Sequence, residues 1–263
     1  MIRLATYNIE WFNSLFDDAG QLINDDSWSS RYNITKKMQT QALGQVFKKI
    51  DADAVMIIEA PDTSRNRDGA VALENFAALF GLRARKALMG FTNDTQQEIA
   101  LLFDPDVLTA AHAPVSQLSG PTAPRFDGTF KIDLDIDARE DEVVFSKPPL
   151  EVLLQTKSGA EARLIGVHAK SKAPHGAKSD ADAMRFSIAN RRKQLAQCVW
   201  LRRRVEHHLD AQDPLIVLGD FNDGPGRDAY EKLFVRSSVE IFLGTDQPSE
   251  RQLYDPHATG ALG

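Results

Sequence analysis

The sequence predicts an α/β fold, because short apolar runs typical of buried strands alternate along it with segments of helical periodicity. Residues 54–58 and 214–218 are continuous apolar runs bounded by polar or turn-forming residues. Apolar residues recur at helical intervals over 35–50, 69–80 and 183–209. The chain of 263 residues contains no internal repeat, low-complexity tract or linker, so we expect a single domain.

The first two predicted strands both end on polar side chains. The first strand lies within residues 2–12 and ends near Asn8 and Glu10. The second, at 54–58, ends at Glu59. Taken alone, a glutamate at a strand end is more simply explained by exposure to solvent than by metal binding.

The first two helices are predicted from their apolar spacing. Beginning at Thr35, the positions expected to face the core are Met38, Ala42, Val46 and Ile50, with Leu43 and Phe47 widening the face. The second helix covers 69–80 and is closed by Gly81, in the position that a left-handed helix cap prefers. Residues 13–34 show no period and are predicted to form a loop.

Further strands are predicted over 82–89, 98–103, 129–136, 149–156 and 162–168. The last two form a hairpin through Lys157-Ser158-Gly159, and the second ends at His168. A helical turn or two is expected at 228–235, whereas 112–128 and 237–263 are expected to be loops.

The longest predicted helix, 183–209, carries two arginines on its apolar face. Arg191 and Arg202 share that face with Leu195, Cys198, Val205 and Leu209. In the simpler interpretation, both arginines extend along the edges of the contact toward solvent. In the alternative, Arg191 reaches toward a functional site.

Residues 214–226, PLIVLGDFNDGPG, are the strongest single signal in the chain. Pro214 to Leu218 is predicted to be a buried strand covered on both faces. Asp220 and Asn222 then lie at its exit and point the same way, since alternate residues of an extended chain share a side. Gly219 and the residues that follow Asn222 make this exit a tight loop rather than a helix.

Composition and charge limit the classes of function. The chain is 43% hydrophobic and 26% charged, as expected of a globular protein, and its formal net charge is -6. That charge argues against a constitutive nucleic-acid coat protein, although an enzyme that binds a divalent cation remains open. One cysteine, Cys198, excludes an internal disulfide and fits a reducing compartment. With no transmembrane segment or signal peptide in sequence, we expect a cytoplasmic protein that does not bind membranes.

Polar residues at the ends of several strands suggest one site assembled from distant parts of the chain. Adjacent strand ends bring such side chains together in layered α/β proteins. Oxygen donors from Asn8, Glu59, Asp220 and Asn222 suit Mg²⁺ or Mn²⁺, and His168 can donate a proton. This inventory fits metal-assisted attack of water on phosphorus.

The motifs ATYNIEW, IIEA, VHAKSK and LGDFND occur in an order and spacing that resembles the endonuclease/exonuclease/phosphatase superfamily, which has the deoxyribonuclease I-like fold. The similarity covers residues 1 to about 235. It implies a four-layer α/β/β/α sandwich of two mixed sheets flanked by helices. It also implies a Mg²⁺-dependent or Mn²⁺-dependent phosphohydrolase.

The resemblance assigns a role to each matching position. Glu59 resembles the principal metal ligand, and Asn8 resembles its neighbour at the metal and the phosphate. Asp220 resembles the residue that orients or deprotonates the nucleophilic water. Asn222 resembles a binder of the scissile phosphate, and His168 resembles the histidine at the phosphate or leaving oxygen. Lys170 and Lys172 have no clear assignment, since a phosphate contact and a solvated lysine both fit their positions. We add Lys170 and Arg191 as further candidates for phosphate contacts.

The chain departs from the superfamily pattern at its C-terminal end. That pattern closes with an adjacent Ser-Asp-His, which this sequence lacks. The nearest substitutes are Tyr254-Asp255-Pro256-His257 and, in another segment, His175. We therefore expect an incomplete C-terminal part and an exposed sheet edge, covered by a further segment of a longer gene product or by an oligomeric partner.

Three functions follow from this reading. The first is a nuclease or phosphodiesterase, with DNA or RNA as candidate substrates by analogy of fold. The second is a catalytically impaired module that binds metal and phosphate. The third is a phosphomonoesterase acting on a small phosphorylated metabolite. Basic runs at 191–193 and 202–204 could follow a phosphate backbone, although each run spreads around its helix.

Overall fold

The computed structural model describes residues 1–31, 33–93, 95, 97–114, 123–133, 139–224 and 235–255. The chain forms two compact units. The first comprises Met1–Pro114, Ser146–Val167 and Ile216–Gly219, and the second comprises Val115–Phe145, His168–Leu215 and Asp220–Gly263.

The described residues form strands and helices that alternate along the chain. The strands are β1 (Leu4–Asn8), β2 (Ala54–Pro61), β3 (Lys86–Met89), β4 (Gln97–Phe103), β5 (Leu108–His112), β6 (Phe130–Ile132), β7 (Asp141–Val143), β8 (Leu150–Thr156), β9 (Glu161–His168) and β10 (Leu215–Asp220). The helices are α1 (Lys36–Ile50), α2 (Gly69–Phe80), α3 (Asp180–Asp210) and α4 (Ser238–Leu243), with short 3-10 turns at Phe12–Leu15 and Ser249–Arg251.

Two mixed four-stranded sheets confirm the predicted α/β class. Their strand orders are β1-β2-β4-β3 and β10-β9-β8-β5. In the first sheet β1 runs parallel to β2, whereas β4 is antiparallel to both β2 and β3. The hairpin of β8 and β9 turns at Gly159, which has the positive φ of 86° that such a turn requires.

The two sheets of the first unit pack face to face. Met56 and Ile99 of the first sheet share an apolar core with Leu150, Val152 and Leu164 of the second. The opposite face of the first sheet packs against α1 and α2, where the rings of Phe47 and Phe76 meet edge to face with their centroids 5.2 Å apart. The first unit thus contains three of the four predicted layers.

The predicted core face of α1 is correct for Leu43, Phe47 and the partly buried Ile50, and wrong for Met38, Ala42 and Val46. Leu43, Gly44 and Phe47 are buried, whereas Met38, Ala42 and Val46 are exposed. The reason is the packing of α2, because a Cβ atom at Gly44 would collide with the ring of Phe80. Gly44 leaves room for that ring, so α1 is oriented with Leu43, Gly44 and Phe47 toward the core.

The prediction for α2 is confirmed, including the left-handed cap at Gly81, where φ is 60°.

Three other predictions need correction. β10 is not covered on both faces, since Ile216 is 44% exposed. The predicted C-terminal loop contains α4, because Ser237 and Glu240 form a capping box. β5 and β7 were not predicted, because both are short segments without a clear alternating pattern. The helix expected at 228–235 lies almost wholly outside the described residues.

The second unit is organised around Trp200 of α3. This side chain is buried, and its ring lies 5.0–5.6 Å from the rings of Phe126, Phe130 and Phe145, measured between centroids. Arg202 is also buried and donates to the carbonyls of Phe242 and Leu243, at the end of α4. Arg202 therefore caps a helix rather than extending toward solvent.

Candidate active site

Glu59 occupies a β-bulge near the end of β2. Ile58 pairs with Ile99 and Ala60 pairs with Glu98, so Glu59 is an extra residue opposite the β4 strand. Its φ is 63°, a left-handed conformation that is uncommon for a glutamate. Regular alternation would place residue 59 on the side of Val55 and Ile57, which pack in the core beneath the helices. Because of the bulge, Ala60 rather than Glu59 lies on that side and packs in the core.

A cleft of about 580 Å³ brings Glu59 and Asn8 together. Asn8 is the last residue of β1 and pairs with Ile58, directly before the bulge. The Ile9 NH donates to the Ile58 carbonyl at 3.0 Å, which extends this pairing past the end of β1. The cleft is lined by Tyr7, Asn8, Ile9, Glu10, Arg31, Ile34, Gln39, Ala42, Leu43, Val46 and Glu59.

The carboxylate of Glu59 is oriented by two side chains that the sequence did not single out. The Gln97 amide donates from Nε2 to Oε2 of Glu59 at 2.6 Å. Lys147 Nζ lies 4.0 Å from Oε1, and both of these charged side chains are largely buried, at 16% and 14% exposed. Gln97 begins β4, and neither its type nor its position in the sequence marks it as a partner of Glu59.

Glu98, the neighbour of Gln97, is completely buried. Its Oε1 accepts from the Thr63 NH at 3.1 Å, and its Oε2 has no partner among the described residues. Burial, together with the nearby charge of Asp62, raises the pKa of this carboxyl to about 7, against the opposing effect of hydrogen bonds from backbone NH groups.

In the second unit, the ends of β9 and β10 are joined directly beyond His168. The Ala169 NH donates to the carbonyl of Asp220 at 2.9 Å. His168 is buried, at 8% exposed. The strand ends that carry these two predicted catalytic residues are therefore adjacent, as the sequence predicts.

The loop that follows β10 is held by side-chain hydrogen bonds. Oδ1 of Asp220 accepts from the Asn222 NH at 2.7 Å, and Nδ2 of Asn222 donates to the Ala169 carbonyl at 3.0 Å. Asn222 has a φ of 50°, a conformation that asparagine tolerates better than most residues. Gln194 of α3 donates to the carbonyls of both Phe221 and Asn222 at 3.0 Å. Asp220 is thus presented by a rigid loop.

Asp223 extends this network and was not identified as a site residue from the sequence. Its side chain has no exposed surface, and its Oδ1 accepts from Lys172 Nζ at 2.6 Å. Its Oδ2 accepts from the Val239 NH of α4 at 3.3 Å. Lys172 is therefore held in an ion pair with a buried carboxylate rather than solvated. The sequence signal that could have identified Asp223 is its position directly after the residues GDFN.

The remaining candidate cations differ in their surroundings. The Lys170 NH donates to Oε1 of Gln197 at 2.8 Å, and the pKa of the nearby Lys193 is lowered by burial and by the charge of Lys170. Arg191 is buried, at 7% exposed, and donates to the Ser187 carbonyl within its own helix at 3.3 Å. It does not extend toward solvent, so that interpretation is wrong for Arg191 as well. Its contact with a phosphate stays a prediction.

Of the two histidines proposed as substitutes, His175 lies within the described residues and His257 does not. His175 is exposed in a turn, where its NH donates to the Ala173 carbonyl at 2.9 Å. Tyr254 is 82% exposed, and Pro256 and His257 lie outside the described residues. The loop assignment for His175 is confirmed.

The donor set of the cleft decides which metal it could hold. Glu59, Asn8 and Glu10 supply two carboxylates and one amide, which are hard oxygen ligands. Within the described parts of the chain, no group of three or more His, Cys, Asp or Glu side chains could hold a metal ion. Mg²⁺ and Mn²⁺ accept a small number of such oxygen ligands, because they keep several water ligands.

No family model matches the sequence, and no curated protein matches it. Solved structures do. A truncated TDP2 of Caenorhabditis elegans is 15% identical, with a TM-score of 0.38, over 70% of this chain and 55% of that one. A mannosyl-6-phosphatase of Bacteroides thetaiotaomicron is 12% identical, with a TM-score of 0.42, over 78% and 61%. ANGEL2, a 2′,3′-cyclic phosphatase, is 13% identical, with a TM-score of 0.39, over 73% and 46%.

These structural neighbours are members of the endonuclease/exonuclease/phosphatase superfamily, the one that the motifs resemble. The chain spans about half to three fifths of the length of these three structures. The TM-scores of these three structures are all below 0.5. No helix in the described part combines the length and the apolar character needed to cross a membrane.

Proposed function

We propose that the protein is a Mg²⁺-dependent phosphohydrolase that cleaves phosphodiester bonds with an activated water. The observation that carries this proposal is the bulge at Glu59, which places a carboxylate in the same cleft as Asn8. Bulges next to active sites re-aim side chains, and this one departs from the regular ladder at the predicted metal ligand. A purely structural glutamate would not require it.

The proposed roles are as follows. Glu59 and Asn8 hold the cation, which when bound neutralises charge that develops on the phosphate. Asp220 orients the water and accepts its proton, while His168 gives a proton to the leaving oxygen. Asn222, Lys170 and Arg191 bind the phosphate. The roles of these residues outside the cleft rest on the sequence resemblance.

The proposal also covers the substrate class, the partner of the β10 edge and the cellular location. DNA or RNA is a candidate substrate, on analogy of fold alone. A second copy or a further segment pairs with the exposed edge of β10, where Ile216 is 44% exposed. The single cysteine, which is buried, supports a location in the reducing cytoplasm.

Hydrolysis of bis(p-nitrophenyl) phosphate with Mg²⁺ tests the activity. Asp220→Asn and Glu59→Gln should each lower kcat/KM by at least about 100-fold, because Asp220 accepts the proton of the water and Glu59 holds the cation. Asp26→Asn, at an exposed aspartate, is the matched control and should leave the rate unchanged. Equal rates for the unmodified protein and Asp220→Asn would instead support the alternative, a module that binds metal and phosphate without turnover.

A further inference from the structure

Helix α1 presents an apolar stripe to the surface. Met38 is 55% exposed and Val46 is 37% exposed, with exposed Ala42 between them at intervals of four residues. Residues four apart lie on the same side of a helix, so the three side chains are neighbours. Single exposed apolar residues are ordinary, whereas a contiguous group of them marks a binding surface.

This stripe continues into the cleft that contains Glu59. Ala42 and Val46 line the cleft together with Leu43 and Ile34, and Asn8 lines it as well. One cavity thus has apolar side chains from α1 and oxygen donors from the ends of β1 and β2. Its volume of about 580 Å³ lies in the range of sites for small molecules.

The charges of the cleft argue against a polynucleotide. Among its described lining residues, Glu10 and Glu59 are acidic and Arg31 is the one cation. Arg31 forms an ion pair with Glu10, so its charge is compensated. A nucleic-acid backbone requires a groove of several cations. The stacking of successive bases requires several aromatic side chains, and Tyr7 is the one aromatic residue among the described residues that line the cleft. Aliphatic side chains next to a metal-binding carboxylate suit one phosphate and an uncharged apolar group.

We propose that the cleft binds a phosphate ester whose organic group is an alkyl chain, with that chain lying against Ala42 and Val46. The proposal rests on the proposed function for its account of the phosphate end. It also gives a reason for the exposed stripe of α1, since those side chains become covered when the substrate binds.

The test is a titration of the full chain, in the presence of Mg²⁺, with methyl, butyl and hexyl phosphate by isothermal titration calorimetry. Affinity should rise about two- to fourfold for each added methylene, because each methylene leaves water for an apolar surface. Val46→Asp and Ala42→Asp should remove this dependence on chain length, so that hexyl and methyl phosphate bind each variant equally; the ratio of the two affinities is the readout, because the added carboxylate repels the phosphate of both ligands. Val71→Asp is the matched control, since Val71 is 42% exposed on α2, and it should retain the full dependence.

The outcomes separate the proposal from the proposed function. Equal affinities for methyl and hexyl phosphate would overturn the chain-binding site, even if the protein hydrolyses phosphodiesters. A dependence on chain length that Val71→Asp removes as well as Val46→Asp would also overturn it. Tight, salt-dependent binding of a single-stranded oligonucleotide that Val46→Asp abolishes would assign the cleft to nucleic acid. A normal dependence on chain length without any hydrolysis would refute only the enzymatic function.

Discussion

The Nζ atom of Lys172 lies 2.6 Å from Oδ1 of Asp223, a carboxylate with no exposed surface. The same carboxylate accepts from the backbone NH groups of Gly224 and Val239. Asp223 thereby ties the loop after β10 to the segment after β9 and to the start of α4. This loop also carries Asp220 and Asn222, so the ion pair stabilises the part of the second unit to which we assign proton transfer.

Breaking this pair should destabilise the protein strongly. Lys172→Met leaves the Asp223 carboxylate buried without its cation, and we expect the free energy of unfolding to fall by about 3 kcal/mol. Urea denaturation followed by circular dichroism measures the change. Lys178→Met, at an exposed lysine of the same segment, is the control and should change stability by less than about 0.5 kcal/mol. Similar stabilities of the two variants would show that the pair contributes little.

Gln97 should matter for metal binding although it is not proposed as a ligand. Its amide donates to Oε2 of Glu59, and the loss of a side chain that orients a metal ligand typically weakens binding 10- to 100-fold. We expect Gln97→Leu to weaken Mn²⁺ binding by about that factor, as measured by calorimetric titration. Gln155→Leu, on β8, should bind Mn²⁺ like the unmodified protein. An unchanged affinity in Gln97→Leu would mean that Glu59 is oriented by other contacts.

The buried carboxyl of Glu98 should make stability depend on pH. Its pKa is raised to about 7 in the folded protein, from an ordinary value of 4.5. The folded state therefore holds this proton more tightly than the unfolded chain does, and the associated stability is complete below about pH 4.5. It is lost as the pH rises through about 7, and the loss is on the order of 3 kcal/mol.

Substitution of this residue tests the assignment. Glu98→Gln cannot ionise, so its free energy of unfolding should lack the decrease between about pH 4.5 and 7 that the unmodified protein shows. Urea denaturation at intervals from pH 4 to 8 gives both curves. Parallel curves would place the titration elsewhere.

Local sequence patterns were sufficient for elements whose determinants lie within a few residues. The cap of α2 at Gly81 and the turn of the β8–β9 hairpin at Gly159 both follow from the freedom of glycine at positive φ. The orientation of α1 was not predictable in this way. It depends on the fit of the Phe80 ring against Gly44, a contact between two helices that periodicity within one helix does not contain.

The same distinction applies to the candidate site. The strand ends that carry Asn8, Glu59, His168 and Asp220 could be recognised because each follows an apolar run. Partners such as Gln97, Lys147 and Gln194 could not, since their contacts join positions between 27 and 88 residues apart. Such pairs are created by the packing of the chain, and no local pattern of residue types encodes them.

The bulge at Glu59 has a consequence for how the first sheet could have been built. If residue 59 were absent, Ile58 and Ala60 would be consecutive in β2. They would still pair with Ile99 and Glu98, which are already consecutive in β4, and the side chains would alternate regularly between the two faces of the sheet. A strand shorter by one residue would therefore complete a regular ladder. Glu59 is surplus to the architecture of the sheet, so its position can be altered or lost without disturbing the pairing that surrounds it.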